Sequence, residues 1–234
     1  MDDSKLFYAY IIMTMKKQQP VTLCGETLTA PLHICAFFDS REEQYEVLLP
    51  WLKEGINSNE EVLTILSSDS HKDHCSRLSH AGIPVEEVLT KGQLKIVATE
   101  DSYIQGGTFA AKRMFDIVEQ ALIDAQKGPY GNLRACGDME WALKHLPGTD
   151  ELIEYEARLN LLTPKHDCSI LCGYDINKFS GSAIADVLAT HPQVIMNGRI
   201  HMNPHYVDPV EFLGKLINRP KRPLAFRVSA NYSN

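Results

Sequence analysis

The chain has 234 residues, 44% of them hydrophobic, and a formal net charge of −7. That length supplies one substantial core without help from disulfides. An acidic surface repels phosphate backbones and argues against a dedicated nucleic-acid binder, and the one basic stretch, Lys215 to Arg227, reads as a solvated tail.

The run from Leu6 to Met15 is apolar but follows acidic residues and precedes no cleavage site. It is too short to span a bilayer and reads as an amphipathic helix or the remnant of an upstream domain. Leu32 to Phe38 is strand-like and ends at Asp39-Ser40, where Ser40 and Glu43 form a capping-box pattern. Tyr45, Leu48, Leu49, Leu52 and Ile56 recur at helical steps within Glu42 to Asn57, with Pro50 as a kink or restart point. Glu61 to Leu66 is a buried strand, Asp69 to His80 a short helix stopped at Gly82, and Gln93 to Ala98 another strand. After Gly106-Gly107 comes a helix over Phe109 to Gln126, then a strand over Leu133 to Met139. Asp150 to Leu162 is helical, with Leu152, Tyr155, Leu159 and Leu162 on one face. Ser169 to Tyr174 is a strand, Gly181 to His191 a helix, Gln193 to Asn197 a strand, and Asp208 to Ile217 the last helix.

Strands separated by helices of this length imply parallel crossovers, and continuous apolar strands imply a sheet covered on both faces. The expected fold is therefore a three-layer α/β domain with a mostly parallel sheet and antiparallel additions near the C-terminus. No phosphate-cradling G-x-x-x-x-G-K-[ST] is present; the segment after the first strand reads Phe38-Asp39-Ser40-Arg41-Glu42-Glu43, without glycine or lysine. The dinucleotide fingerprint, H-E-x-x-H and the nucleophile elbow are also missing, so the chain is not expected to be an enzyme.

Six cysteines in a chain of this size are expected to be reduced thiols of a cytoplasmic protein. His33-x-Cys35 places an imidazole and a thiol on one strand face, as a metal-binding or reactive pair or as core filling. Cys168 and Cys172 share a face if the strand includes both; with His191, His201 and His205 they offer a zinc set, as a pair they offer a redox disulfide, and otherwise they pack as small hydrophobes. His71-x-x-His74-Cys75 reads as a solvated helix face rather than a metal site. Asp138, Glu140, Glu154 and Glu156 are acidic residues suited to a ligand site at a sheet edge, or to capping and surface ion pairs. Asn197-Gly198 marks a hairpin turn inside a histidine-rich segment.

Six segments in order carry a family resemblance. They are His33 to Phe38, Glu46 to Ile56, Gly137 to Trp141, Tyr155 to Asn160, Leu171 to Asp175 and His191 to Ile195. Together they resemble the MEDS domain, a sensory domain named for methanogens, methylotrophs and the dichloromethane-responsive regulator. The resemblance implies a RecA-like fold with a degenerate phosphate loop. It divides the chain into an extension (residues 1–23), a sensory domain (24–217) and a tail (218–234). It implies binding of a small organic ligand such as a simple hydrocarbon derivative, and signalling to a kinase, a sigma or anti-sigma protein or a DNA-binding partner. Self-association is compatible with such a role. No complete output domain is legible, so a sensor working in trans is expected. The matching polar residues are His33, Cys35, Glu140, Glu156, Cys172 and His191. His33, Cys35 and Cys172 are the expected pocket and metal candidates, with zinc as the cofactor considered. The alternatives are a divergent RecA-like ATPase and a ligand-free interaction module.

Overall fold

The structure, a computed structural model, describes residues 20–220 together with Leu224. The expected N-terminal helix over Leu6 to Met15, and Lys221, Arg222 and Arg227 of the basic stretch, lie outside the described residues. A short hairpin opens the described chain: β1 (Pro20–Leu23) and β2 (Glu26–Thr29), turning at Cys24-Gly25 with positive φ at both. It was not legible in the sequence, since four-residue strands carry too little alternation to register.

The main sheet has seven strands in the order β5-β4-β6-β7-β3-β8-β9. These are β3 (Leu32–Phe38), β4 (Glu61–Leu66), β5 (Leu94–Ala98), β6 (Leu133–Asp138), β7 (Cys168–Asp175), β8 (Gln193–Met196) and β9 (Arg199–Met202). All are parallel except β9, which pairs with β8 through the Asn197-Gly198 turn. Both turn residues have positive φ, the conformation that asparagine and glycine tolerate in a two-residue hairpin. The expected three-layer, mostly parallel architecture holds.

Every residue of β3 is buried, because it runs between β7 and β8 with both faces covered. Leu32, Ile34, Ala36 and Phe38 pack under α1 (Arg41–Asn57), α2 (His71–His80), α3 (Val85–Thr90) and the β1–β2 hairpin. Cys35 and Phe37 face the opposite layer: α4 (Ala111–Lys127), α5 (Leu152–Leu162), α6 (Gly181–Thr190) and α7 (Pro209–Leu216). Pro50 does not break α1, which is one helix of 17 residues. Its ring is on the exposed side, and Glu46, whose carbonyl loses its helical partner, is exposed to solvent as well.

The β3–α1 connection explains the missing phosphate loop in structural terms. It is only Asp39-Ser40. Ser40 Oγ accepts from the Glu43 amide at 3.2 Å, and Glu43 Oε2 accepts from the Asp39 amide at 2.8 Å. The protein's own side chains thus take the amides that would otherwise meet an anion, and Glu42 and Glu43 add negative charge to that helix turn.

Beneath α1, Arg134 of β6 is wholly buried, with Nε on Glu60 at 2.5 Å and Nη1 on Glu54 at 2.7 Å and on the Trp51 carbonyl at 2.6 Å. A Cβ on Gly55 would come within 2.8 Å of the Arg134 side chain, so that position has to be glycine for the guanidinium to pass.

Candidate functional site: a buried histidine, glutamate and thiol centre

Strand and helix periodicities bring one polar group together inside the α5–α6 layer. His33 comes from β3, Cys172 and Tyr174 from β7, Glu156 and Asn160 from α5, and His191 from the end of α6. All six are buried. On α5 the pair Glu156 and Asn160 is four residues apart and so lies on one face, the same inward face as Leu152 and Leu159. On β7, Cys172 and Tyr174 are two residues apart and point the same way. The register sets Cys35 beside Cys172 and His33 beside Ile170.

Glu156 Oε2 is the common vertex. It lies 3.2 Å from His33 Nε2, 3.5 Å from His191 Nε2 and 3.5 Å from Cys172 Sγ. Cys172 Sγ is 3.7 Å from His33 Nε2. The four donor atoms lie within 4.8 Å of one another, and this is the one such group of three or more metal-capable side chains among the described residues. The other oxygen, Oε1, accepts from the Tyr174 hydroxyl at 2.5 Å.

The surrounding hydrogen bonds fix which nitrogen of each histidine carries its proton. Asn160 Nδ2 donates to the carbonyls of Glu156 at 3.2 Å and Thr190 at 2.6 Å, so its Oδ1 is the acceptor turned toward His33 Nδ1 at 3.1 Å. His191 Nδ1 lies 2.8 Å from the Val187 carbonyl. Both Nδ1 atoms therefore donate outward, and both Nε2 atoms are turned toward the Glu156 carboxylate. His191 Nε2 has no hydrogen-bond partner. Asn203 secures this turn from behind, donating to the carbonyls of Leu188 at 2.6 Å and His191 at 2.7 Å.

Burial pushes the Glu156 carboxyl toward protonation, but His191 and His33 outweigh it and hold the group well below the usual carboxylate range. Burial lowers His33, and the neighbouring His191 lowers it further. Burial and the Glu156 charge raise the Cys172 thiol well above its ordinary value. The centre thus brings together a carboxylate, two imidazoles and a thiol. Tetrahedral zinc, with bonds of about 2.0–2.3 Å, places its donors about 3.3–3.7 Å apart, close to the 3.2–3.7 Å from Glu156 Oε2 to the other three donors and from His33 Nε2 to Cys172 Sγ. Outward Nδ1 donors to carbonyl oxygens are also the usual outer partners of metal-ligating histidines. Asn160→Leu, which removes the His33 partner while leaving all four donors, is expected to weaken zinc binding about tenfold to a hundredfold by calorimetric titration.

The site differs from the sequence reading in several ways. His33, Glu156, Cys172 and His191 come together, but Cys35 does not join them as a donor: its sulfur is 3.8 Å from the Gln193 carbonyl. Glu140 sits elsewhere, at the C-terminal sheet edge, paired with Lys178 at 2.8 Å. Glu156 is no capping or surface group, whereas Glu154 is one, paired with Arg158 at 2.7 Å. Cys168 and Cys172 face the same core but stand four strand residues apart, about 13 Å, too far to share an ion or a disulfide. All six cysteines are free thiols. His201 and His205 are exposed and take no part. Asn160 and Tyr174 were missed, although their spacing from Glu156 and Cys172 was the available signal.

His74 corrects another expectation. It does not lie on a solvated face but is buried against Tyr45, whose hydroxyl is 2.9 Å from Nδ1. Burial, helped by Arg41, lowers its pKa to about 4. In the unfolded chain it titrates near 6.5. Unfolding therefore takes up a proton between those values, and stability is full above about pH 6.5 and falls as pH drops toward 4. The expected loss is on the order of 3 kcal/mol at most. Buried His33 adds in the same direction. Urea unfolding at pH 7 and pH 4.5 should show the slope, and His74→Gln should make it shallower.

Residues 32–192 match the family model described as MEDS, the MEthanogen/methylotroph, DcmR Sensory domain. The chain belongs to this family of sensory domains, and its role is regulatory and sensory. It is 26% identical over 180 residues to the Transcriptional repressor DcmR of Methylorubrum extorquens, covering 76% of this chain and 64% of that protein. The chain thus spans slightly less than two-thirds of the repressor's length. The crystal structure of a KaiC-like protein from Pyrococcus horikoshii superposes with a TM-score of 0.51 over 71% of this chain and 72% of the other, at 13% identity. That likeness bears on fold alone and is in line with the RecA-like expectation. No helix among the described residues is long and apolar enough to cross a membrane.

Proposed function

We propose that this chain is a cytoplasmic sensory domain whose His33–Glu156–Cys172–His191 centre holds one divalent transition-metal ion, with zinc as the first candidate. The observation that supports this reading is the convergence of two Nε2 atoms and a thiol on one buried carboxylate oxygen, four metal-capable donors from three elements and a helix end. Zinc binding would displace the Cys172 proton, so affinity should rise with pH.

The sensing step is a population shift. A small organic ligand, a simple hydrocarbon derivative being the class considered, favours one packing of α5 and α6 on the sheet, and a protein partner reads the change. The partner is a DNA-binding protein, a kinase or a sigma-type regulator. No chemical step is assigned to the domain. Hydrogen exchange tests the metal part directly: adding zinc to chelator-stripped protein should protect the amides of α5 and α6, which carry Glu156, Asn160 and the turn into His191. Equal exchange with and without zinc contradicts it.

A further inference from the structure

A cavity of about 210 Å³ lies between α4 and the sheet. Its walls are carbon almost throughout, including Leu63, Ile65, Val97, Met114, Val118 and Ile170. Small residues line it on both sides, Ala121 of α4 and Ala135 of β6. A Cβ at Gly137 would meet the Tyr103 hydroxyl at 2.4 Å, so the glycine makes room for that ring. Tyr103 and Tyr155 supply the few polar atoms at one end, and both are fully buried. The Lys95–Glu61 pair, at 2.6 Å, stands at the rim.

We infer that this cavity is the ligand site of the domain and takes one uncharged, apolar molecule of about the size of a single ring. Volume and lining carry the inference. A dry apolar cavity of about 150 Å³ accommodates benzene, and this one is larger. The two charged lining residues, Lys95 and Glu61, are paired with each other, so a charged ligand would find no free counter-charge. The place also explains how occupancy reaches the polar centre. Ile170 lines the cavity and is the register partner of His33, while Tyr155 lines it and precedes Glu156 on α5. The inference rests on the sensory reading for its role but on the cavity alone for its location.

Trp141 gives the readout, because its ring stacks on Tyr103 at 4.8 Å. Toluene titrated into the full chain should change tryptophan fluorescence saturably and shift the Ile170 methyl resonances. Ala121→Phe fills the cavity from the helix side and Ala135→Leu from the sheet side. Each should weaken toluene binding at least tenfold, with zinc uptake retained. Two variants are used so that a folding failure in one leaves the other to decide. No saturable response in the parent chain, or undiminished binding in either folded variant, overturns the cavity site. Zinc uptake by the parent chain keeps the two ideas apart: no toluene binding by the parent with zinc taken up rejects this cavity only, and toluene binding by the parent without any zinc uptake upholds the cavity while rejecting the metal centre.

Discussion

Glu156→Gln is expected to lower zinc affinity by at least about a hundredfold. Loss of an outer partner already costs a metal site up to about that much, and Glu156 would be a direct donor, its Oε2 lying beside the other three. Glutamine keeps the shape and can still meet the Tyr174 hydroxyl, so the change isolates the charge. Zinc at a thousandfold its dissociation constant stabilises a native state by about 4 kcal/mol. For a chain of this length that is about 8–16 °C in melting temperature. The parent should show this rise on zinc addition and its loss on chelation, and at the same zinc concentration Glu156→Gln should keep at most about 1.4 kcal/mol of it, about 3–6 °C. An equal rise in the variant contradicts the assignment of Glu156 as a donor.

Arg134→Met should be the most destabilising single change on the opposite face of the sheet. The guanidinium is wholly buried and ties β6 to Glu60, to Glu54 and to the Trp51 carbonyl of α1. Burial already raises the Glu60 carboxyl against the pull of Arg134. Removing the cation leaves a buried carboxylate uncompensated, at a cost of about 3–5 kcal/mol. Melting should fall by about 6–20 °C. The sign with pH follows: with Arg134 gone, Glu60 protonates more readily in the fold, so part of the loss should be recovered as pH is lowered toward 5. Arg134→Met combined with Glu60→Leu should be more stable than Arg134→Met alone. Thermal melts of the parent and the two variants decide this, and equal stability of all three would mean that the pair contributes nothing.

Much of the fold could be read from the chain because its strands are short apolar runs and its long helices keep a clear stripe. Where the pattern is too short, it failed: the β1–β2 hairpin and α3 each have six residues or fewer per element. Of the site, His33, Glu156, Cys172 and His191 were named, but their grouping was not legible. It depends on β7 lying beside β3 and on α5 crossing beneath both, which no local spacing encodes. Glu140 looked equivalent to Glu156 as a motif carboxylate, yet one lies in the short turn of helix just after β6 and the other faces inward from a long helix. Helical phase separates the acidic residues of α5: Glu156 is in step with Leu152 and Leu159, and Glu154 is not. The same phase reasoning identifies Asn160, and the period of two along β7 identifies Tyr174.

The most direct test of the metal centre is cobalt(II) titration of chelator-stripped protein, followed by visible absorption. The parent should take up one cobalt per chain, with tetrahedral bands and a thiolate charge-transfer band. Cys172→Ser should lose the charge-transfer band, and His191→Ala should lose tight uptake. Absence of stoichiometric uptake in the parent, or spectra unchanged in both variants, would contradict the account.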